Sequence, residues 1–238
     1  EQGKEMAYLI KGCNKFLKYR NISGVLYDKD GRKVRKLKSD EIHDVSNIAA
    51  YSLYEDTRVK AATPEYSQYP YTVEYEYRLL LKSVMSYPTW NIVPGFDVSV
   101  EQADYSVKIP AEKDFHYLPI AMEIEPEVVT SSTHHIYRWE VKDIAPIRYE
   151  PASGHPGEYF PALYVSPVEI NYGGVSGKAD TWEEYGNWIW KLVKDKQDFT
   201  PETADEIRSV YEGCTSDREI VEVLYQHMQD KVRYVNIS

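Results

Sequence analysis

The hydrophobic period of the chain changes once, near residue 180, and this change constrains the fold more than any other feature. From residue 15 to about residue 170, apolar and polar residues alternate in short runs, which is typical of half-buried β-strands. After Ala179 the period lengthens to about 3.6 residues, which is typical of amphipathic helices. The pattern therefore predicts a mainly β protein that ends in a short helical segment.

Two stretches show the alternation clearly. In YTVEYEYRLL, the residues Val73, Tyr75 and Tyr77 fall on one face, and charged residues fall on the other. In HHIYRWEVKD, Trp139 falls on the face opposite to Arg138. Both stretches indicate antiparallel strands with one face in water. The Pro, Gly and Asp turns between such strands favour an antiparallel β-sandwich.

Six basic residues lie in one short stretch, KDGRKVRKLK at residues 29–38. Asp30-Gly31 is a favoured two-residue turn, so we interpret the stretch as a hairpin with charged, solvent-facing strands. A site for a polyanion is the alternative. The net charge of −10 repels phosphate backbones and anionic lipid surfaces, so we expect no nucleic-acid partner. We also expect no membrane span, because no run of about eighteen apolar residues occurs.

Prolines and glycines suggest where the domains divide. Four prolines between residues 150 and 167 predict an extended stretch that has no central place in a sheet. The glycines of YGGVSGKAD then predict a linker at residues 173–180. The expected domains are residues 1–172, the β-sandwich, and residues 181–238, the helical segment.

Three helices are predicted after the linker. Thr181 and Glu184 form a capping box at the first helix, and Ser216 and Glu219 form one at the third. The second helix is predicted to begin at Thr200-Pro201, because proline is favoured at the first helical position. On the first helix, the face predicted to pack on a core contains Trp182, Tyr185, Ile189 and Leu192.

Cys214 is the strongest candidate for a nucleophile, because a thiol just before a helix has a lowered pKa. A thiol enzyme also needs a histidine base within hydrogen-bond distance. His227 lies near the far end of the same helix, about 15 to 20 Å away at about 1.5 Å per residue. We therefore interpret Cys214 as a structural residue. Neither the histidines nor the two cysteines have metal-site spacing, so we predict no metal and no cofactor.

Six stretches, in order, resemble a bacterial family. They are LYDKDGRKVRKLKSDEIHD, YEDTRVKAA, YPYTVEYEYRL, SYPTWNI, YRWEVKDIAPIRYEP and TWEEYGNWIWKL. Together they resemble the domain of unknown function that precedes transglutaminase-like domains in bacterial envelope proteins, from about Phe16 to Leu192. The following SDREIVEVLYQHMQDKVRYVNI is similar to the lead-in of the papain-like transglutaminase core.

The resemblance implies an immunoglobulin-like β-sandwich, exported to the periplasm or cell surface, followed by the start of an α+β domain. The strand VRYVNI would begin the sheet of that domain. The family's catalytic Cys, His and Asp would lie beyond Ser238, so no catalytic residue is carried over. We expect a non-catalytic accessory module whose partner is its own transglutaminase-like core. The aromatic residues expected to contact that core or a ligand are Trp182, Tyr185, Trp188 and Trp190.

Two other functions stay open at this point. The 22 tyrosines could form platforms for a carbohydrate- or peptide-binding module of the envelope. An independent hydrolase that uses paired carboxylates is the third possibility, although no carboxylate spacing identifies an acid/base couple.

Overall fold

The computed structural model describes residues 3–46, 57–196 and 198–233. The chain divides into two compact units, residues 1–82 with 197–238, and residues 83–196. We call them the first and the second unit. Strands are the main element of both, and every strand pairing in the described residues is antiparallel. The mainly β prediction is confirmed.

The described residues of the first unit form six strands and two α-helices. They are β1 (Leu9–Cys13), β2 (Leu17–Tyr27), β3 (Lys33–Lys36), β4 (His43–Ser46), β5 (Arg58–Ala62), β6 (Thr72–Leu81), α2 (Pro201–Tyr211) and α3 (Asp217–Lys231). The strands form two three-stranded sheets, in the orders β1-β5-β4 and β3-β2-β6.

The second unit contains eight strands and one helix. They are β7 (Trp90–Asn91), β8 (Val100–Pro110), β9 (Phe115–Ile120), β10 (Glu127–Thr130), β11 (His134–Ile144), β12 (Ala162–Pro167), β13 (Glu169–Tyr172), β14 (Val175–Lys178) and α1 (Trp182–Val193). The strand orders are β10-β11-β8, β7-β12-β9 and β13-β14.

The core of the second unit lies between two of these sheets. Val107 and Ile109 of β8 and Trp139 of β11 pack against Leu163 and Val165 of β12. Trp139 is 1% exposed and Leu163 is fully buried. The alternation of β11 therefore places its indole in the core and its charged residues in water, as predicted.

The hairpin between β2 and β3 forms as predicted, but its loop contains three residues, Lys29, Asp30 and Gly31, instead of the predicted two-residue Asp30-Gly31 turn. Gly31 adopts a φ of 72°, a left-handed conformation that glycine enters without a steric penalty. The backbone N–H of Gly31 donates to the carbonyl of Asp28, and the N–H of Asp28 donates to the carbonyl of Arg32. Since β3 is an edge strand, its exposed lysines discourage pairing with another chain.

Two predictions about the secondary structure of the proline- and glycine-rich region are wrong. Strand β12 is central in its sheet, because Pro161 precedes it and Pro167 ends it, so neither ring interrupts the middle of the strand. The stretch predicted to be a linker contains β14 and the turn of the β13–β14 hairpin. Gly173 and Gly174 form that turn, with φ values of 58° and 89°.

The two helices of the first unit pack as a helical hairpin, and α3 is capped by Ser216 as predicted. Lys231 of α3 donates to the carboxylate of Glu206 of α2 at 2.6 Å. The predicted strand VRYVNI falls mostly on residues 234–238, which lie outside the described residues. Within the described ranges, no helix is both long and apolar enough to cross a membrane.

Candidate functional site

Helix α1 begins at an N-terminal cap that side-chain hydrogen bonds form. The hydroxyl of Thr181 accepts a hydrogen bond from the backbone N–H of Glu184 at 3.2 Å, which is the predicted cap. The carboxylate of Glu184 turns back to the N–H of Asp180 rather than to that of Thr181, at 3.2 Å. Asp180 in turn contacts His116 of β9, with Oδ1 to Nε2 at 2.8 Å. These contacts fix the start of the helix within the second unit.

Trp188 fixes the helix to the β13–β14 hairpin. Its side chain is 1% exposed, and its indole Nε1 donates to the backbone carbonyl of Val175 at 3.0 Å. The ring lies against Gly177, which has no side chain to obstruct it. Tyr185, one turn earlier, packs against Trp188 with ring centroids 5.7 Å apart. The buried face of α1 therefore contains Tyr185, Trp188 and Leu192.

A second apolar face of α1 lies in solvent. We call it the α1 stripe, and it consists of Trp182, Ile189, Trp190 and Val193. Trp182 is 87% exposed and Trp190 is 55% exposed. The spacing of seven, eight and eleven residues from Trp182 places all four on one side of an α-helix. A helix anchored on one side thus presents two indoles on the other.

The predicted core face of α1 is partly wrong. Trp182 and Ile189 were expected to be buried with Tyr185 and Leu192, and both are exposed. The apolar residues of α1 cover a wide arc, and the period alone does not tell which part of that arc the sheet covers. Trp188 lies three residues after Tyr185 and four before Leu192, but Trp182, Tyr185 and Ile189 have the same spacing, so the spacing does not distinguish the two faces.

Cys214 and His227 are not brought together. Cys214 is half-buried in the turn between α2 and α3, and its backbone N–H donates to the carbonyl of Tyr211. His227 instead faces α2, with Nε2 3.7 Å from a carboxylate oxygen of Glu206. The hydrogen bond from Lys231 holds the pKa of that Glu206 carboxyl below its usual range. This arrangement is an ordinary interhelical polar contact.

An aromatic cavity lies in the first unit. It has a volume of about 330 Å³, and Lys4, Met6, Tyr69 and Tyr71 contribute to its walls. The rings of Tyr69 and Tyr71 are 5.4 Å apart, and Tyr69 is 44% exposed. The buried hydroxyl of Tyr71 finds no hydrogen-bond partner among the described residues, and burial raises the pKa of this phenol. Tyr8 and then Glu65 raise the pKa of Lys4.

Metal ligands are not grouped in the part of the chain that the structure describes: no cluster of three or more His, Cys, Asp or Glu side chains could hold an ion. The histidine pair on β11 illustrates the reason. His134 and His135 are adjacent on one strand, so their side chains point to opposite faces.

Comparison with known proteins gives a matching family and a similar solved structure. The model of a family described as a domain of unknown function with a solved structure, DUF3857, matches residues 14–148. The crystal structure of a candidate protease from Parabacteroides distasonis is similar, with a TM-score of 0.67 and 14% identity. That similarity covers 98% of this chain but 44% of the other, and it shows a shared fold. No curated protein matches the chain.

Proposed function

This chain belongs to the DUF3857 family, and we propose that it is a non-catalytic accessory module of a larger thiol peptidase or acyltransferase. The catalytic core in this proposal is a transglutaminase-like domain outside these 238 residues. The module docks on that core and helps to shape or present its cleft. We place the protein in the periplasm or on the cell surface, on the basis of the sequence resemblance.

The observation that carries the proposal is the α1 stripe. Fully burying an aromatic side chain removes about 150–250 Å² from water, so Trp182 and Trp190 could together supply the centre of an interface. The helix that carries them is already fixed by Trp188 and by the cap at Thr181. A fixed aromatic pair loses little conformational entropy when it docks. This favours a rigid domain contact over a tether.

The chemistry of the described residues supports a role without turnover in this chain. Cys214 has no histidine partner, because His227 faces Glu206 on α2. His116 and Asp180 form a pair at 2.8 Å, but both side chains are more than half exposed to water. A catalytic dyad needs a nucleophile within hydrogen-bond reach and a site that excludes water, and neither is found at that pair in the described ranges.

The length of the related structure supports a larger protein. This chain spans 44% of the Parabacteroides distasonis protein, which is described as a candidate protease. Our proposal assigns the accessory role to the part that this chain shares with it, and catalysis to the remainder.

Binding of the chain to a separately produced core tests the proposal. We expect calorimetric binding, and we expect Trp182→Ala with Trp190→Ala to weaken it by about tenfold or more, as for buried tryptophan anchors. Tyr164→Ala is the matched control, because Tyr164 is a 48% exposed aromatic residue on β12 of the same unit. Equal weakening by the control, or no binding at all, would refute docking through the α1 stripe. Peptidase activity of the chain alone would refute the accessory role.

The aromatic cavity of the first unit favours a second candidate function, a carbohydrate- or peptide-binding module. The tilted rings of Tyr69 and Tyr71 offer stacking faces for such a ligand. If this function is correct, soluble glycan fragments will change the tyrosine fluorescence of the chain, and Tyr69→Ala will abolish the change. An unchanged response in Tyr69→Ala would contradict it.

A further inference from the structure

A cationic cavity lies in the first unit, apart from the surfaces described above. It has a volume of about 380 Å³, and its charged walls are Lys15, Lys18, Asp44, Arg58 and Lys60, with the thiol of Cys13 beside them. Among the described residues that line the cavity, four cations and one carboxylate leave a local excess of three positive charges. The whole chain carries a net charge of −10, so this concentration of positive charge opposes the overall balance.

The register of one sheet places part of this charge on a single face. Cys13 of β1 is paired with Arg58 of β5, and Lys60 of β5 is paired with Asp44 of β4. Side chains two residues apart on a strand share a face, so Arg58 and Lys60 lie on the same side of the sheet as Cys13. Arg58 and Lys60 are therefore held by paired strands rather than by a loop.

A tight turn brings the other two cations to the cavity. The side-chain oxygen of Asn14 accepts hydrogen bonds from the backbone N–H groups of Phe16 and Leu17, at 2.9 and 3.0 Å. The N–H of Asn14 also donates to the carbonyl of Leu17 at 3.0 Å. This turn joins β1 directly to β2, so Lys15 and Lys18 follow the end of β1 within a few residues.

The carboxylate of Asp44 accepts hydrogen bonds from only some of the N–H donors of the four cations. It accepts from Arg58 Nε at 2.7 Å and from Lys60 Nζ at 2.7 Å. Arg58 also donates through Nη2 to the backbone carbonyl of Asp44 at 3.1 Å. A guanidinium carries five N–H donors and an ammonium three, so most donors of these four cations have no partner among the described residues. Neither Lys15 nor Lys18 forms an ion pair within the described part of the chain; Lys15 lies 5.1 Å from the ring centroid of Phe16.

We infer that the cationic cavity binds a phosphate-type oxyanion that carries at least two negative charges. Ammonium and guanidinium donors that converge from two strands and a turn match the several acceptor oxygens of such a group. A single carboxylate would use fewer donors and would neutralise less of the excess charge. The oxyanion is either free in solution or part of a lipid headgroup, and the chemistry of recognition is the same.

Cys13 can report on the site, because it is one of the residues that line the cavity. In the full chain with Cys214→Ser, only Cys13 can react with a disulfide reagent. Inorganic pyrophosphate is expected to slow the labelling of Cys13 by neutral dithiodipyridine, relative to potassium chloride at the same ionic strength. Anionic dithiobis(nitrobenzoate) is expected to label Cys13 faster than its intrinsic reactivity towards thiols predicts, because the positive charge of the cavity attracts it.

Substitutions distinguish binding of the anion in the cavity from the general effect of ionic strength on the labelling rate. Lys15→Gln with Lys18→Gln is expected to lower the ratio of anionic to neutral labelling rates by about threefold or more, and to remove the protection by pyrophosphate. Lys36→Gln is the matched control, because Lys36 is an exposed lysine on β3 that does not line the cavity. Circular dichroism of both variants shows whether they fold.

Vesicles of phosphatidylglycerol, compared with vesicles of phosphatidylcholine, distinguish the two sources of the oxyanion. Protection of Cys13 by the anionic vesicles assigns the site to a headgroup, and protection by pyrophosphate without it assigns the site to a soluble anion. If neither probe protects Cys13, or if the folded double variant keeps the same rate ratio as the Lys36→Gln control, the inference is wrong.

Discussion

The indole Nε1 of Trp188 donates a hydrogen bond to the backbone carbonyl of Val175 at 3.0 Å. A residue of helix α1 is thereby joined to strand β14 through a buried side chain. The contact explains how one helix can hold an apolar face in solvent without rotating to bury it. The position of the α1 stripe depends on this contact and on the glycine beside it.

Gly177→Ala should destabilise the second unit. A Cβ at this position would lie 2.4 Å from Cδ1 of Trp188 and 2.7 Å from its Cγ, so the indole must move. Overpacking of this kind costs about 1–3 kcal/mol in the free energy of unfolding. Urea unfolding measures the change. Gly186→Ala is the control: it lies in α1 with no neighbour within 4 Å, and should stabilise by about 0.5–1 kcal/mol. Equal stability of Gly177→Ala and the parent chain would contradict the tight contact.

Removal of tryptophan side chains should distinguish the anchor from the exposed stripe. Trp188→Ala loses a buried ring and its hydrogen bond, and should lower the free energy of unfolding by about 3–5 kcal/mol. Trp182→Ala removes a ring that is 87% exposed, and should change it by less than about 0.5 kcal/mol. Chemical unfolding of the two variants tests the difference. A large loss in Trp182→Ala would mean that this indole packs against the folded chain.

Alkaline pH should weaken the first unit through Tyr75. The Tyr75 hydroxyl donates to the carbonyl of Ala7 at 2.7 Å, and burial raises the pKa of this phenol to about 12. The folded-state pKa exceeds the ordinary value, so the contribution of the neutral phenol is complete below about pH 10 and is lost towards about pH 12. The free energy of unfolding, measured across this pH range, should fall more steeply for the parent chain than for Tyr75→Phe. Parallel curves would contradict the prediction.

Asp44→Asn should strengthen anion binding in the cationic cavity. Hydrogen bonds from Lys60 and then Arg58 hold the pKa of the Asp44 carboxyl below its usual range, so it is charged at neutral pH. Its removal frees two cations for an external anion. We expect pyrophosphate to protect Cys13 at lower concentrations in a folded Asp44→Asn variant. Weaker protection in that variant would show that Asp44 helps to organise the site.

Local signals in the sequence predict much of the fold. The β2–β3 hairpin, the alternation in β6 and β11, and the Thr181 cap all depend on residues close together in the chain. Such features are determined by local sterics, hydrogen bonding and the two-residue period of a strand. They are the parts of the structure that agree with expectation.

Features that depend on distant residues are harder to predict. Strand β12 is central because β7 and β9 flank it, and its prolines alone suggested an extended surface stretch. The buried face of α1 depends on Gly177, whose close approach to Trp188 has no local signal. The cationic cavity is assembled by the pairing of β1 with β5 and of β5 with β4, so the spacing of its residues along the chain does not reveal it.

Quenching of tryptophan fluorescence by acrylamide tests the central claim, docking through the α1 stripe, most directly. The chain contains five tryptophans: Trp139 and Trp188 are each only 1% exposed and Trp90 is partly buried against the core, so quenching of the isolated chain should come mainly from Trp182 and Trp190. Addition of the transglutaminase-like core is predicted to reduce the quenching of the parent chain and to leave that of the Trp182→Ala, Trp190→Ala variant unchanged. Unchanged quenching of the parent chain, at core concentrations where the two proteins co-elute, would contradict the account.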